Sequence, residues 1–98
     1  MDKVFKSLAD INRRRIIKML SDGEKSVNTI VSGLPIGQAT VSTHLAVLRK
    51  SGLVNYRVLG KNRLYSLNKV LLDKFIEEWE IFLGRNELKK TDEIIVRR

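Results

Sequence analysis

Residues 37–54 restrict the fold of this 98-residue chain more than any other stretch. Val41, Leu45 and Leu48 recur at helical spacing and predict a single buried stripe, with His44 at its edge. Ala39, Ser42, Thr43, Ala46 and Lys50 project the other way, and Gln38 and Thr40 occupy the first turn. An ordinary surface helix carries Glu and Lys outside, for solubility and helix propensity. This one places short hydroxyl and methyl side chains there, at some cost in helicity. A face of that kind can approach base edges in a duplex major groove, from which bulky side chains would hold it off. Gly37 stands at the N-cap position and Gly52 stops the helix.

The flanking segments fall into place around that helix. Val4, Phe5 and Leu8 mark a short first helix, and Asp10 caps a second one that runs to about Leu20, with Ile16, Ile17 and Leu20 inward. Ser21-Asp22-Gly23 ends it. Ser26 caps a brief third helix containing Val27, Ile30 and Val31, closed by Gly33. Pro35 disfavours a helical Leu34, so Leu34-Pro35-Ile36 is a turn. After Gly52, Leu53–Val58 and Arg63–Leu67 are rich in strand formers and flank Gly60-Lys61-Asn62, which reads as a β-hairpin offering Lys61 and Arg63 at its tip. Helix, strand and basic hairpin in that order give a mainly α fold with a small β-hairpin, the outline of a winged helix-turn-helix. About five helices and a two-stranded wing are expected.

Asn68 or a neighbour starts the last helix. Leu71, Leu72, Phe75, Ile76, Trp79, Phe82 and Leu83 cover a wider arc of it than packing on one small core requires. The surplus points to a twofold contact made with the first helix, through Val4, Phe5 and Leu8 and through Leu72, Phe75, Ile76, Trp79, Phe82 and Leu83. The rival reading is a larger internal core. The tail from Arg85 carries an Ile94-Ile95-Val96 cluster and could extend the helix, cover a partner or stay loose.

Length supports one domain over 1–98, with a reading head at about 26–67, dimerisation helices at about 2–9 and 69–84 and a tail at 85–98. The formal net charge is +8 and the pI about 10.1, which favours a polyanion as partner. Residues 53–68 hold Arg57, Lys61 and Arg63 with no acid, whereas residues 69–84 hold two lysines against four acids. Positive charge therefore sits on the reading head and negative charge on the late helix, as expected for nucleic acid at one end and protein at the other. The chain contains no cysteine, which excludes disulfides and thiolate metal sites. No signal peptide or membrane span is evident, so the cytoplasm is the expected location. Catalysis has no candidate: the sole histidine lies on the reading helix, and no glycine-rich phosphate loop is present.

These residues resemble the ArsR-type winged-helix repressors. The similarity begins at Phe5–Ile17, which resembles the family's "LADPTRRRIL" opening. It continues through Leu34–Leu45 and Leu48–Val54 and ends with the wing, Gly60–Leu67. The resemblance implies a homodimer, double-stranded operator DNA as partner and repression as activity. Gln38, Thr40, Ser42 and Thr43 match the positions that meet bases or phosphates, and Lys61 and Arg63 match the wing. Two departures stand out. Ile11 replaces the proline that follows the capping Asp, and Glu24–Ile30 lacks the Cys-x-Cys arrangement of the metal sensors. The chain is similar to the metal-free branch: no metal and no cofactor is expected, and the effector, a small molecule or a sequestering protein, is left open.

The DNA contacts expected are Gln38, Ala39, Thr40, Ser42, Thr43, Lys50, Lys61 and Arg63. One of Arg13, Arg14 and Arg15 could reach a phosphate, or form a salt bridge, or remain solvated. The competing classes are a winged-helix protein-interaction module and a nonspecific DNA-binding protein. RNA binding lacks the exposed aromatic pair that stacking on single strands needs.

Overall fold

The structure, a computed structural model, describes residues 1–85. Five helices and one small sheet follow in order: α1 (Asp2–Ser7), α2 (Ile11–Leu20), β1 (Lys25–Ser26), α3 (Val27–Ser32), α4 (Gln38–Ser51), β2 (Val54–Leu59), β3 (Asn62–Leu67) and α5 (Lys69–Phe82). The tail expectations for residues 86–98, including Ile94, Ile95 and Val96, lie outside the described residues.

Side-chain caps set three of the helix starts. Asp10 is extended (φ −106°, ψ 136°), and its carboxylate accepts from the amides of Asn12 and Arg13 at 2.8 and 3.1 Å. Ser26 accepts from the Thr29 amide at 3.2 Å. Asn68 accepts from the Leu71 amide at 3.2 Å, while its Nδ2 donates to the Gly52 carbonyl at 3.1 Å and its backbone N–H donates to the Leu53 carbonyl at 2.7 Å. One asparagine thus fastens the start of α5 to the end of α4. Gly52 ends α4 in the left-handed region (φ 87°), which an L side chain enters only with strain.

The core lies where α2, α3 and α4 meet the sheet. Ile16 and Leu20 of α2, Ile30 of α3, and Val41, Leu45 and Leu48 of α4 are almost fully buried, and Leu53, Val54 and Tyr65 close the sheet side. Each such aliphatic side chain contributes about 1.5–3 kcal/mol relative to exposure. The stripe read from α4 is the stripe that is buried.

The wing is the expected two-stranded hairpin, β2 and β3, and the sheet gains a further strand that the sequence reading did not include. It has three antiparallel strands in the order β1-β3-β2, because Lys25 and Ser26 pair with Tyr65 and Leu64. A two-residue strand shows no alternation in sequence. It exists because β3 offers a free edge just where the chain enters α3. The hairpin proper turns through Gly60-Lys61, with Leu59 opposite Asn62 and positive φ at Gly60 alone (62°), the pattern of a type II′ turn.

α5 contains no fully buried residue. Leu71, Leu72 and Phe75 rest partly on the core, whereas Ile76, Phe82 and Leu83 stay exposed, Phe82 at 78%. In α1, Phe5 is half exposed and packs on Phe75 and Trp79, and Leu8 is partly buried. Val4 departs from the expectation of an interface residue offered at the surface. At 3% exposure it belongs to the core of the subunit and supports α1 from beneath.

Candidate nucleic-acid interface

At about 100° per residue, the surface of α4 divides into three strips. Ala39, Thr43, Ala46 and Lys50 form the crest opposite the buried stripe, and all four are exposed. Gln38, Ser42 and Arg49 form the flank toward the wing. Thr40, Val47 and Ser51 lie on the flank toward α1 and α2. Thr43 donates its hydroxyl to the Ala39 carbonyl at 3.1 Å, so outward it offers lone pairs rather than a proton. No acidic residue occurs between Gln38 and Arg63.

The wing flank borders a cleft of about 420 Å3. Gln38, Ser42, Ala46 and Arg49 line one wall, Lys61, Asn62, Arg63 and Tyr65 the other, and Val27 and Asn28 of α3 close the end. The fold therefore brings the expected Gln38, Ser42, Lys61 and Arg63 to one place, and the expected Ala39, Thr43 and Lys50 to the adjoining crest. Thr40, though exposed, faces away from the wing.

Arg49 escaped the sequence reading. Its guanidinium carbon lies 4.5 Å from the ring centroid of Tyr56, and that of Arg63 lies 4.8 Å from the same ring. Tyr56 in turn pairs across the strands with Tyr65, ring centroids 5.4 Å apart. An aromatic face attracts a cation and narrows its range of positions. Two guanidinium groups are thereby held beside the cleft, one from the helix and one from the wing. The adjacent Arg49-Lys50 pair was the only sequence signal.

Behind this surface, charge pairs fix the elements. Arg57 donates to both carboxylate oxygens of Glu24, at 2.8 and 2.9 Å, bracing the wing against the turn before β1. That hydrogen bonding holds the Glu24 carboxyl below its ordinary pKa and raises that of Arg57. Arg13 donates Nε to the Ser7 carbonyl (2.6 Å) and Nη2 to the Lys6 carbonyl (3.4 Å), and Arg14 donates to the Leu8 carbonyl (2.7 Å). The Ser7 and Leu8 carbonyls stand at the end of α1, where no further turn of helix supplies partners; the Lys6 carbonyl also accepts from the Ala9 amide at 3.2 Å. Arg13 and Arg14 thus have intramolecular roles, and Arg15 bonds Asn12. Arg13 Nη1 also meets His44 Nδ1 at 3.1 Å. A guanidinium only donates, so that nitrogen accepts and the imidazole proton sits on Nε2, 3.7 Å from the Asp10 carboxylate. His44 is a packed link between α2 and α4.

Among the described residues, no group of three or more His, Cys, Asp or Glu could hold a metal ion, and no helix is long and apolar enough to cross a membrane.

A short helix, a turn and an exposed second helix beside a basic hairpin define a winged helix-turn-helix. The family description "Bacterial regulatory protein, arsR family" matches residues 10–56. The transcriptional activator HlyU of Vibrio cholerae is 38% identical over 74 residues, 76% of this chain and 68% of that protein. Its solved structure superposes with a TM-score of 0.70 at 35% identity, covering 82% of this chain and 87% of that one. The transcriptional repressor SdpR of Bacillus subtilis is 28% identical and spans 89% of this chain and 97% of its own. The homodimeric winged helix-turn-helix DNA-binding domain of Mb0332 from Mycobacterium bovis superposes with a TM-score of 0.70 at 26% identity, covering 88% of this chain and 81% of that one. The chain belongs to the ArsR family of bacterial regulatory proteins. It is a DNA-binding transcriptional regulator of the winged-helix type and not an enzyme.

Proposed function

We propose that this protein is a homodimeric repressor that reads a symmetric operator through α4 and acts in the cytoplasm without a transition metal as effector. The observation that carries the reading is the exposed crest and wing flank of α4. They present small polar side chains, no carboxylate, and cations on the adjoining wing. The reading head spans about residues 26–67. Gln38, Ala39, Thr40, Ser42 and Thr43 meet base edges, while Lys50, Lys61 and Arg63 meet phosphates. Arg49 joins the phosphate contacts.

A homodimer is supported by the apolar surface that one subunit leaves uncovered. Phe5, Ile76, Phe82 and Leu83 are exposed at 51, 45, 78 and 51%. They continue a ring cluster in which Phe5 lies 5.4 Å from Trp79 and Trp79 lies 5.5 Å from Phe82. Burying such a patch against its own copy needs only a twofold axis. The Mb0332 domain, described as homodimeric, has the same fold. Repression follows the pattern of SdpR, a transcriptional repressor that shares nearly its whole length with this chain.

Selection of bound duplexes from a random pool tests the reading. The expected product is an inverted repeat with half-sites about one helical turn apart, or somewhat more, preferred over random DNA by at least about a thousandfold at physiological salt. Equal affinity for selected and random duplexes overturns sequence-specific reading.

A further inference from the structure

The wing supplies cations on one side of α4. A second basic cluster lies on the other side. Lys3 and Lys6 of α1, Arg13 of α2 and Lys50 of α4 border a shallow groove of about 380 Å3 that also touches Ser7, Val47 and Ser51. No carboxylate lines it.

The phase of α1 explains the arrangement. Val4 and Ser7 are its buried residues. At about 100° per residue, Phe5 falls on one flank and Lys3 and Lys6 on the opposite one. Phe5 packs on Phe75 and Trp79 of α5. The other flank turns to α4. This short helix therefore has an aromatic side for α5 and a cationic side for the reading helix.

The cations are available. Lys3, Lys6 and Lys50 are exposed and form no ion pair among the described residues. Asp2, the acid of α1, lines a neighbouring groove with Met1, Val4 and Leu71 that Lys3 and Ser51 also border. The Arg13 guanidinium is committed to the Ser7 and Lys6 carbonyls and to His44, so it adds fixed positive charge rather than a free donor.

A major groove is bounded by two phosphate strands, and a helix lying in it turns one flank to each. Lys61 and Arg63 serve the wing flank. We propose that Lys3, Lys6 and Lys50 form a second phosphodiester-binding site, which holds the strand opposite the one met by the wing. The site rests on the DNA reading given above. Lysine suits it, being a compact charge on a flexible stem that can lie along the carbon surface around Val47 while its ammonium reaches a phosphate.

The test uses the full chain and an operator selected from random duplexes. Affinity is followed by fluorescence anisotropy across a salt series for wild type, Lys3→Gln/Lys6→Gln, Lys3→Arg/Lys6→Arg and Lys61→Gln. The double Gln variant removes two lysines from each subunit and is expected to lower the slope of log affinity against log salt by roughly 3.6 on the full operator, at about 0.9 for each of the four phosphates lost per dimer. Its preference for operator over random DNA stays within about twofold of wild type, because phosphate contacts carry no sequence information. The Arg variant keeps the wild-type slope. An unchanged slope in the double Gln variant, beside a lowered one in Lys61→Gln, overturns the proposal while leaving the wing and the operator reading intact. A wild type that prefers no duplex overturns the underlying reading itself.

Discussion

Arg49 near the end of α4 stacks over Tyr56 of the first wing strand, 4.5 Å from the ring centroid, and so joins the helix to the hairpin. Arg63 shares that ring at 4.8 Å. Replacing Tyr56 with Leu releases both guanidinium groups. Each contact is worth about 0.5–1 kcal/mol at an exposed site, so each subunit is expected to lose about 1–2 kcal/mol of stability, and operator affinity to fall because the two cations are no longer pre-positioned. Tyr56→Phe keeps the aromatic face and wild-type affinity. Titration of both variants against the same labelled operator checks this, and equal affinities for Leu and Tyr would refute it.

Gln38 and Thr40 are expected to set sequence preference, and Lys61 overall affinity. Gln38→Ala or Thr40→Ala alters the preferred base at one half-site position, by about 1–3 kcal/mol for a lost contact. Lys61→Ala weakens every duplex alike. Competition between operators mutated one position at a time separates the two behaviours.

Phe82 is 78% exposed within the subunit, so Phe82→Glu does not disturb the core. Subunit stability should change by no more than about 0.5 kcal/mol. Light scattering at micromolar concentration is expected to find a monomer, and DNA affinity to fall with it. A dimeric Phe82→Glu protein would move the twofold contact elsewhere.

Gly52→Ala introduces two penalties at one atom. The residue holds φ +87°, and an added Cβ would sit 3.1 Å from Leu71 Cδ2. The left-handed conformation alone costs an L residue about 1–2 kcal/mol, which lowers Tm by roughly 4–8 °C per kcal/mol in a domain of this size. Calorimetry measures it directly.

The Asp10 carboxyl is held below its ordinary pKa of 3.8, chiefly by the Arg13 amide, then by the Asn12 amide and more weakly by the electrostatic pull of the His44 ring and the Arg13 guanidinium, against some desolvation. A depressed folded-state pKa contributes stability that is complete above the unfolded value and is lost as pH falls through the folded one. Wild type should therefore lose part of its urea resistance below about pH 4. Asp10→Asn keeps a capping acceptor without a titrating proton, and its stability should decline less over that interval.

Much of the helical framework was legible because short-range chemistry decides it. Asp10, Ser26 and Asn68 cap helices through atoms two or three residues away, and the spacing of Val41, Leu45 and Leu48 fixes which face of α4 is buried. What escaped depends on distant partners. Lys25-Ser26 becomes a strand only because β3 has an edge to fill. Arg13 and Arg14 turn inward because the carbonyl end of α1 stands beside α2, which their own neighbours in sequence do not reveal. Arg49 and Lys50 look equivalent on paper. A rotation of about 100° between them, together with the side on which the hairpin folds, gives one to the wing and leaves the other on the crest. Val4 and Phe5 part in the same way, one inside the subunit and one on its surface.

The short ladder between β1 and β3, with the Glu24–Arg57 fork beside it, has a mechanical consequence. Hairpin and helix-turn-helix cannot swing independently, since the connection entering α3 is stitched to the hairpin itself. Each subunit meets the duplex as one stiff jaw of a caliper. Any signal that switched such a protein would have little to gain by bending a jaw; it would have to change the gap between the two.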